Sequence, residues 1–254
     1  MQYMGGKEKI ANQIVEFMQP EIDKRGIYVE PFVGGASVIS RVSASVRIGA
    51  DIHEALINMY KALSNGWIPP KTLTENEYNE LKRIRDVNSP LTAFAGFGCS
   101  FGGKYFGGYA KDRQTNRNYA MNAHKSLAEK MRTLGGVEWI SSSYLHLNVP
   151  EKSVICCDPP YSNTSKYKGA EGFDSRTFWK WCAQKHYEGH AVFVSEYEAP
   201  SDFECRLEIK KTLGLRTKNG NGVRIEKVFV HKDADYGTSS VSLLDVLDLN
   251  SHIS

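Results

Sequence analysis

The sequence predicts an α/β protein whose strands run mostly parallel. Strand and helix patterns alternate over residues 1–66, then the alternation stops, and it resumes from Val137. The chain has 254 residues, of which 41% are hydrophobic, so it can bury a large core and still carry an insertion. We therefore expect an α/β domain formed by 1–66 and 137–254, interrupted by a mainly helical insert at 67–136.

Hydrophobic spacing places the individual elements. Ile10, Ile14 and Phe17 recur at helical intervals. They predict a helix over 7–18 that ends before Pro20. Further helices are predicted at 36–42, 54–65, 74–87, 117–134 and 174–187. Strands are predicted at 27–29, 46–52, 137–141, 154–157, 191–195, 207–212 and 224–231.

Composition and charge exclude several classes of protein. No apolar run approaches the roughly 20 residues that cross a bilayer, so we expect a cytoplasmic protein with no membrane partner. The five cysteines, at spacings that fit no zinc motif, predict reduced thiols and no metal. Basic segments at 104–132 and 206–232 favour a polyanionic partner, although charge alone fits two solvated faces equally well.

The segment Asp158-Pro159-Pro160-Tyr161 directly follows an apolar strand. In α/β folds, ligands bind at the carboxyl ends of strands. A carboxylate, a carbonyl held by two prolines and an aromatic ring together suit the exocyclic amino group of a planar base. The amino group would donate to Asp158 and to the Pro159 carbonyl, and the base would stack on Tyr161. The alternative is a proline turn at a strand end with a surface tyrosine.

Two further segments point to a ligand. Gly34 and Gly35 follow the first strand, where they let the backbone approach a ligand closely, although the segment is neither a dinucleotide-binding fingerprint nor a Walker sequence. Asp51 ends the second strand, where an acid commonly receives ribose hydroxyls. The alternative for Asp51 is the N-cap of the following helix.

Taken in order, these motifs resemble the Dam-like, D12 class of DNA adenine-N6 methyltransferases, especially those carried by bacteriophages. The resemblance runs over nearly the whole chain and rests on the motifs at 3–7, 30–38, 51, 158–161 and 226–230. It implies a Rossmann-like S-adenosylmethionine-dependent methyltransferase fold. The catalytic domain would comprise 1–66 and 137–254, and 67–136 would form the target-recognition domain.

The resemblance also implies roles for individual residues. S-adenosylmethionine would be the methyl donor, with no metal, and Asp158, Pro159, Pro160 and Tyr161 would be catalytic. The residues implied around the methionine portion of the donor are Tyr3, Lys7, Glu30, Phe32, Gly34 and Gly35. Asp51 would hold the ribose, Ser143 and Tyr144 would flank the adenine ring, Asp158 would also lie near the amino-acid end, and Tyr167 would lie over donor and target.

Double-stranded DNA is the implied substrate, with the target adenine flipped out of the helix. The candidate DNA contacts are Lys104, Tyr105, Tyr109, Arg113 and Arg117. They lie in or just after a glycine-rich and aromatic-rich segment, 94–110, which predicts an irregular loop or hairpin. The family's GATC readers carry an Asn- and Arg-rich hairpin in this region, so GATC specificity is not implied. The setting would be a bacterial cell or a phage-infected host, with or without a partner restriction enzyme.

Two other functions remain open from the sequence. The same pocket accepts the exocyclic amine of cytosine, so N4-cytosine methylation is one alternative, although cytosine enzymes usually carry Ser in place of Asp158. A DNA-binding relative that has lost catalysis is the other alternative, which intact Asp158, Tyr161, Asp51 and Lys7 disfavour.

Overall fold

A computed structural model describes residues 1–111, 117–160, 173–217 and 220–236, with side chains described outside 211–223. The chain divides into two compact units. The first unit comprises Met1–Glu8, Phe32–Arg41 and Val46–Leu147. The second comprises Lys9–Pro31, Val42–Ser45 and the described residues from Asn148 onward. The predicted insert, 67–136, lies inside the first unit, and its boundaries stay a prediction.

The described residues form an α/β fold with a mostly parallel sheet of seven strands, which confirms the predicted fold class. The strands are β1 (Ile27–Glu30), β2 (Val46–Asp51), β3 (Val137–Ser141), β4 (Val154–Cys157), β5 (Ala191–Glu196), β6 (Phe203–Thr217) and β7 (Gly220–His231). The helices are α1 (Ala11–Arg25), α2 (Glu54–Ser64), α3 (Glu75–Ile84), α4 (Pro90–Ala93), α5 (Tyr119–Met131) and α6 (Ser175–Tyr187). None of the helices in the described ranges is long and apolar enough to cross a membrane.

The first unit holds the parallel pair β2–β3, whose register sets Asp51 opposite Ser141. The main chain continues this pairing past the strand end, because Ser142 N–H donates to the Asp51 carbonyl at 3.1 Å. The segment after β3 therefore runs beside the carboxyl end of β2, where Asp51 lies.

The second unit holds the other five strands. β1, β4 and β5 are parallel neighbours, and β7 then pairs antiparallel with both β5 and β6. Since parallel strands end at the same edge of a sheet, the residues that follow β1 and β4 meet there. Strand β4 is buried along its whole length, as its apolar run predicts.

Helix α1 differs from the prediction because it passes through Pro20 and ends at Arg25. Ile14, Met18 and Ile22 form one buried stripe, so stopping at Pro20 would expose Ile22. Burying the Ile22 side chain contributes about 1.5–3 kcal/mol of stability. This gain is comparable with the roughly 3 kcal/mol by which an interior proline destabilises a helix. Gly26, at a φ of 74°, then ends the helix in the left-handed conformation that favours glycine.

The predicted helix at 36–42 is wrong, because this segment consists of turns. Ala36 has a φ of 51°, which an α-helix does not accept.

Several other predictions hold with shifted bounds. Helices α3 and α5 are shorter than predicted at both ends, whereas the hairpin of β6 and β7 is longer. The segment predicted as an irregular loop begins with a π-helical turn, Phe94–Gly98, and contains a 3-10 turn, Phe101–Gly103.

Candidate functional site

The glycine turn, residues Phe32–Ala36, is anchored by Asp51. The Asp51 Oδ2 atom accepts from Gly34 N–H at 3.0 Å, and Oδ1 accepts from His53 N–H at 2.9 Å. Burial raises the pKa of Asp51, and the hydrogen bonds from the His53 and Gly34 backbones partly offset that effect. The N-cap of α2 is His53, so the alternative role of Asp51 as that cap is wrong. The Ile52 backbone also bonds this carboxylate, so three of its roughly four acceptor positions are used and about one is left for a ligand hydroxyl.

Tyr3 explains why both residues of the turn are glycines. A Cβ on Gly34 would lie 2.8 Å from Tyr3 Cε1, and one on Gly35 would lie 3.0 Å from Tyr3 Cβ. Gly34 also has a φ of 43°, which a side chain would strain. The N-terminal segment therefore packs directly on the turn, and the two motifs predicted to bind the donor come together in the first unit.

Aromatic side chains flank the same region. The rings of Phe32 and Tyr144 lie 5.3 Å apart between centroids, and Tyr144 is buried. Ser143 Oγ accepts from Leu145 N–H at 3.4 Å, which holds the loop after β3. Besides Asp51, the first unit therefore contains seven of the predicted donor contacts, in the N-terminal segment, the glycine turn and the β3 loop: Tyr3, Lys7, Phe32, Gly34, Gly35, Ser143 and Tyr144.

An ion pair between a buried lysine and a half-exposed glutamate lies against the glycine turn, and no sequence pattern predicted it. Lys130 Nζ donates to the Gly35 carbonyl at 2.6 Å and lies 2.8 Å from Glu8 Oε2. Glu8 directly follows Lys7, a predicted donor contact that is only 3% exposed. The available sequence signal was the helical interval between Leu127 and Lys130. Residues three apart lie on the same face of a helix, so the apolar Leu127 predicts that Lys130 also faces inward.

In the second unit, Tyr28 orients Glu30 at the end of β1. The Tyr28 hydroxyl donates to Glu30 Oε2 at 2.9 Å, and Tyr28 is fully buried. Burial, together with the nearby Cys156 thiol and Glu30 carboxylate, raises the pKa of Tyr28 well above its ordinary value. The hydroxyl therefore keeps its proton and acts as a donor to the carboxylate.

We expect Tyr28→Phe to weaken binding of the proposed donor about tenfold, since a buried hydrogen bond to a charged group contributes roughly 1.5–3 kcal/mol. Isothermal titration calorimetry with S-adenosylmethionine measures the affinity. Tyr187→Phe is the matched control, because Tyr187 is 70% exposed on α6. Equal affinity of the wild type and Tyr28→Phe for S-adenosylmethionine would show that donor binding does not depend on the hydrogen bond between Tyr28 and Glu30.

Asp158 follows β4 at the edge where β1 also ends, so Asp158 and Glu30 both lie at the carboxyl ends of neighbouring parallel strands. Asp158 is half-buried and Pro159 is buried. Their positions agree with the predicted strand-end motif. Three predicted site residues lie outside the described residues: Tyr161, Tyr167 and Arg113.

The glycines of the aromatic segment serve close packing. A Cβ on Gly96 would lie 2.4 Å from the Tyr105 ring, and one on Gly103 would lie 2.9 Å from the Tyr3 backbone. Phe94, Phe97 and Phe106 are buried in the local core, as expected for part of the aromatic set. This segment therefore has a defined shape, rather than the loose loop that its glycines alone suggest.

The predicted DNA contacts of this region differ in their surroundings. Lys104 and Arg117 are exposed, and Phe101 is 71% exposed in the 3-10 turn before Lys104. Tyr105 packs edge-on against His53 at 4.3 Å between centroids, and the Tyr109 hydroxyl donates to the Leu73 carbonyl at 2.6 Å. Both tyrosines thus also support the protein itself, and their contact with DNA stays a prediction.

Comparison with known families identifies the region that contains the turn and Asp51. Residues 3–89 match the family described as D12 class N6 adenine-specific DNA methyltransferase. The predicted resemblance to D12-class methyltransferases is confirmed over these residues, whereas the match does not reach the motifs at 158–161 and 226–230. The match includes Tyr3, the glycine turn and Asp51. These residues, which contact one another in the structure, therefore all lie in the part of the chain that matches the family. No curated protein matches the sequence significantly.

The D12-class match supports DNA adenine methylation as the general activity, DNA as the substrate and S-adenosylmethionine as the general methyl donor. The mostly parallel α/β fold agrees with the Rossmann-like architecture predicted for such a methyltransferase. In the described part of the chain, no group of three or more His, Cys, Asp or Glu side chains could hold a metal ion.

Proposed function

We propose that the protein is a site-specific DNA methyltransferase that transfers a methyl group from S-adenosylmethionine to the N6 amino group of a flipped adenine in double-stranded DNA. The observation that carries this proposal is the position of Asp158 and Pro159 at the end of the buried strand β4, in a chain whose region 3–89 matches the D12 class. Ligands of parallel α/β sheets bind at this edge.

The proposed chemistry depends on orienting a weak nucleophile. The lone pair of an adenine amino group is delocalised into the ring, and a base inside a duplex cannot reach a donor, so the base must flip out. Hydrogen bonds from the amino group to the Asp158 carboxylate and the Pro159 carbonyl favour a pyramidal nitrogen and stabilise its developing positive charge. S-adenosylmethionine supplies an activated methyl group as a sulfonium, which leaves as a neutral thioether, and the methylated nitrogen then releases one proton to water, so the reaction requires no metal.

The proposed donor contacts use chemistry that fits the molecule. Asp51 offers buried carboxylate oxygens for the ribose hydroxyls, and Phe32 and Tyr144 offer apolar ring surface for the adenine. Glu30, oriented by Tyr28, offers a carboxylate for the ammonium of the methionine portion. Tyr3, Lys7, Gly34 and Gly35 are proposed around that portion as well.

Asp51→Asn should weaken donor binding more than it slows methyl transfer, because the ribose loses a charged acceptor contributing about 1.5–3 kcal/mol. We expect about a tenfold or larger loss of affinity for S-adenosylmethionine by calorimetry. Asp86→Asn is the control, since Asp86 is exposed and also accepts from a backbone N–H, that of Asn88, at 2.9 Å. Unchanged affinity of Asp51→Asn would leave Asp51 with a structural role only.

Lys104→Ala tests the proposed DNA surface. We expect weaker DNA binding, measured with a randomised duplex library at two salt concentrations. Uniform weakening with a salt slope smaller by about one indicates a phosphate contact, whereas a loss of about 1–3 kcal/mol at one base position indicates base recognition. Lys61→Ala, exposed on α2, controls for the lost charge. Unchanged affinity, preference and salt slope would remove Lys104 from the DNA surface.

Expression in bacteria that lack adenine methylation tests the proposed function in cells. Sequencing with modified-base detection should find N6-methyladenine within one short recurring sequence, which is then the recognition site. Cells that express Asp158→Ala provide the matched control. Methyl groups on cytosine N4 would favour the cytosine alternative, and unmodified DNA would favour the inactive DNA-binding alternative.

A further inference from the structure

We infer that Lys130 is a positioning residue for the methyl-donor site, which it shapes by holding the glycine turn and the N-terminal segment together. The inference rests on the proposed function and adds a residue of the insert to the donor site. Lys130 lies at the end of α5 and is 5% exposed. An ammonium group is costly to bury unless charged and polar partners surround it.

The partners of Lys130 belong to two segments that are far apart in sequence. Its Nζ donates to the Gly35 carbonyl at 2.6 Å, lies 2.8 Å from Glu8 Oε2 and contacts Ser37 Oγ at 3.5 Å. Gly35 is in the glycine turn, and Glu8 directly follows Lys7. One ammonium group therefore contacts both segments that are predicted to surround the donor's methionine portion.

Glu8 extends this cluster. Its Oε2 atom accepts from Ser37 Oγ at 2.9 Å, and its Oε1 atom lies 2.5 Å from Arg41 Nη2. Burial raises the pKa of Glu8, but hydrogen bonds from Lys130 and Arg41 outweigh that effect and lower the pKa to about 2. Glu8 is therefore ionised at neutral pH, where it balances the buried ammonium.

The glycine turn needs such outside support because it belongs to no helix or strand. The Tyr60 hydroxyl donates to the Gly34 carbonyl at 2.8 Å, and Lys130 donates to the next carbonyl, that of Gly35. These two bonds fix the direction of successive peptide groups. Without Lys130, the Gly35 carbonyl would lose its charged donor and could rotate, which would misplace the N–H groups and the Cα surface of the turn.

Lys130→Met keeps most of the side-chain volume and removes the ammonium group. We expect the full-length variant, without DNA, to bind S-adenosylmethionine about tenfold more weakly in calorimetry. The methylation rate at saturating donor should change by less than about threefold, because the contacts of Lys130 are with the proposed donor-binding segments. Lys125→Met is the matched control, since Lys125 lies on the same helix and is exposed.

A double variant, Glu8→Gln with Lys130→Met, separates the bond to Gly35 from the pairing with Glu8. Glu8 is half-exposed and also pairs with Arg41, so the double variant should melt close to Lys130→Met. Donor affinity should stay about tenfold weak, because the Gly35 carbonyl still lacks its ammonium donor. Recovery of donor affinity in the double variant, or wild-type affinity in Lys130→Met, would overturn the inference. Failure of the wild-type protein to bind the donor would instead overturn the proposed function, and the inference with it.

Discussion

Replacement of Asp158 by Ala should reduce the rate of DNA methylation by on the order of a hundredfold or more while DNA binding persists. The loss of one oriented acceptor for the developing charge has an effect of this size at other catalytic sites. Asp158 is well placed for such a role because it follows a buried strand at the edge where ligands bind. Single-turnover transfer of a labelled methyl group to unmethylated DNA measures the rate.

Asp174→Ala is the control for this substitution. Asp174 is the exposed N-cap of α6 and accepts from Thr177 N–H at 3.2 Å, so its loss should cost about 1 kcal/mol of stability without affecting transfer. Methylation by Asp158→Ala within tenfold of wild type would contradict the catalytic assignment.

The second large effect is expected at Tyr161, which lies outside the described residues and is assigned from its place in the Asp158–Tyr161 motif. Tyr161→Ala should lower methylation roughly tenfold to a hundredfold, whereas Tyr161→Phe should be mild. The proposed role is stacking on the flipped base, which needs a ring and contributes about 1–3 kcal/mol. The methylation rates of both variants distinguish the two roles. An equal loss of rate in Tyr161→Ala and Tyr161→Phe would show that the hydroxyl, and not the ring, is needed.

The sequence predicted those features that depend on local pattern. An apolar run followed by Asp158 and two prolines placed β4 and its end correctly, since a fully buried parallel strand has that composition. Asp51 was likewise placed at the end of β2. Its bond to Gly34 N–H was not predicted, because it joins residues that are brought together only by the fold.

The features that sequence patterns missed depend on tertiary packing. Helix α1 continues past Pro20 because Ile22 finds a buried site, and the predicted helix at 36–42 is replaced by turns. The pairing of Lys130 with Glu8 spans most of the first unit, and neither residue belongs to a recognisable motif. The spacing of α5 could have placed Lys130 on the buried face, but nothing in the sequence marks Glu8 as its partner, so only the folded structure reveals the pair.

The central claim is that this chain methylates adenine at N6, and product analysis with purified protein tests it most directly. The full-length protein is incubated with methyl-labelled S-adenosylmethionine and unmethylated double-stranded DNA, and the DNA is then digested to nucleosides and analysed. The account predicts label in N6-methyladenine with wild-type protein and almost none with Asp158→Ala. Label in N4-methylcytosine, or DNA without label from protein that binds both DNA and donor, would contradict it.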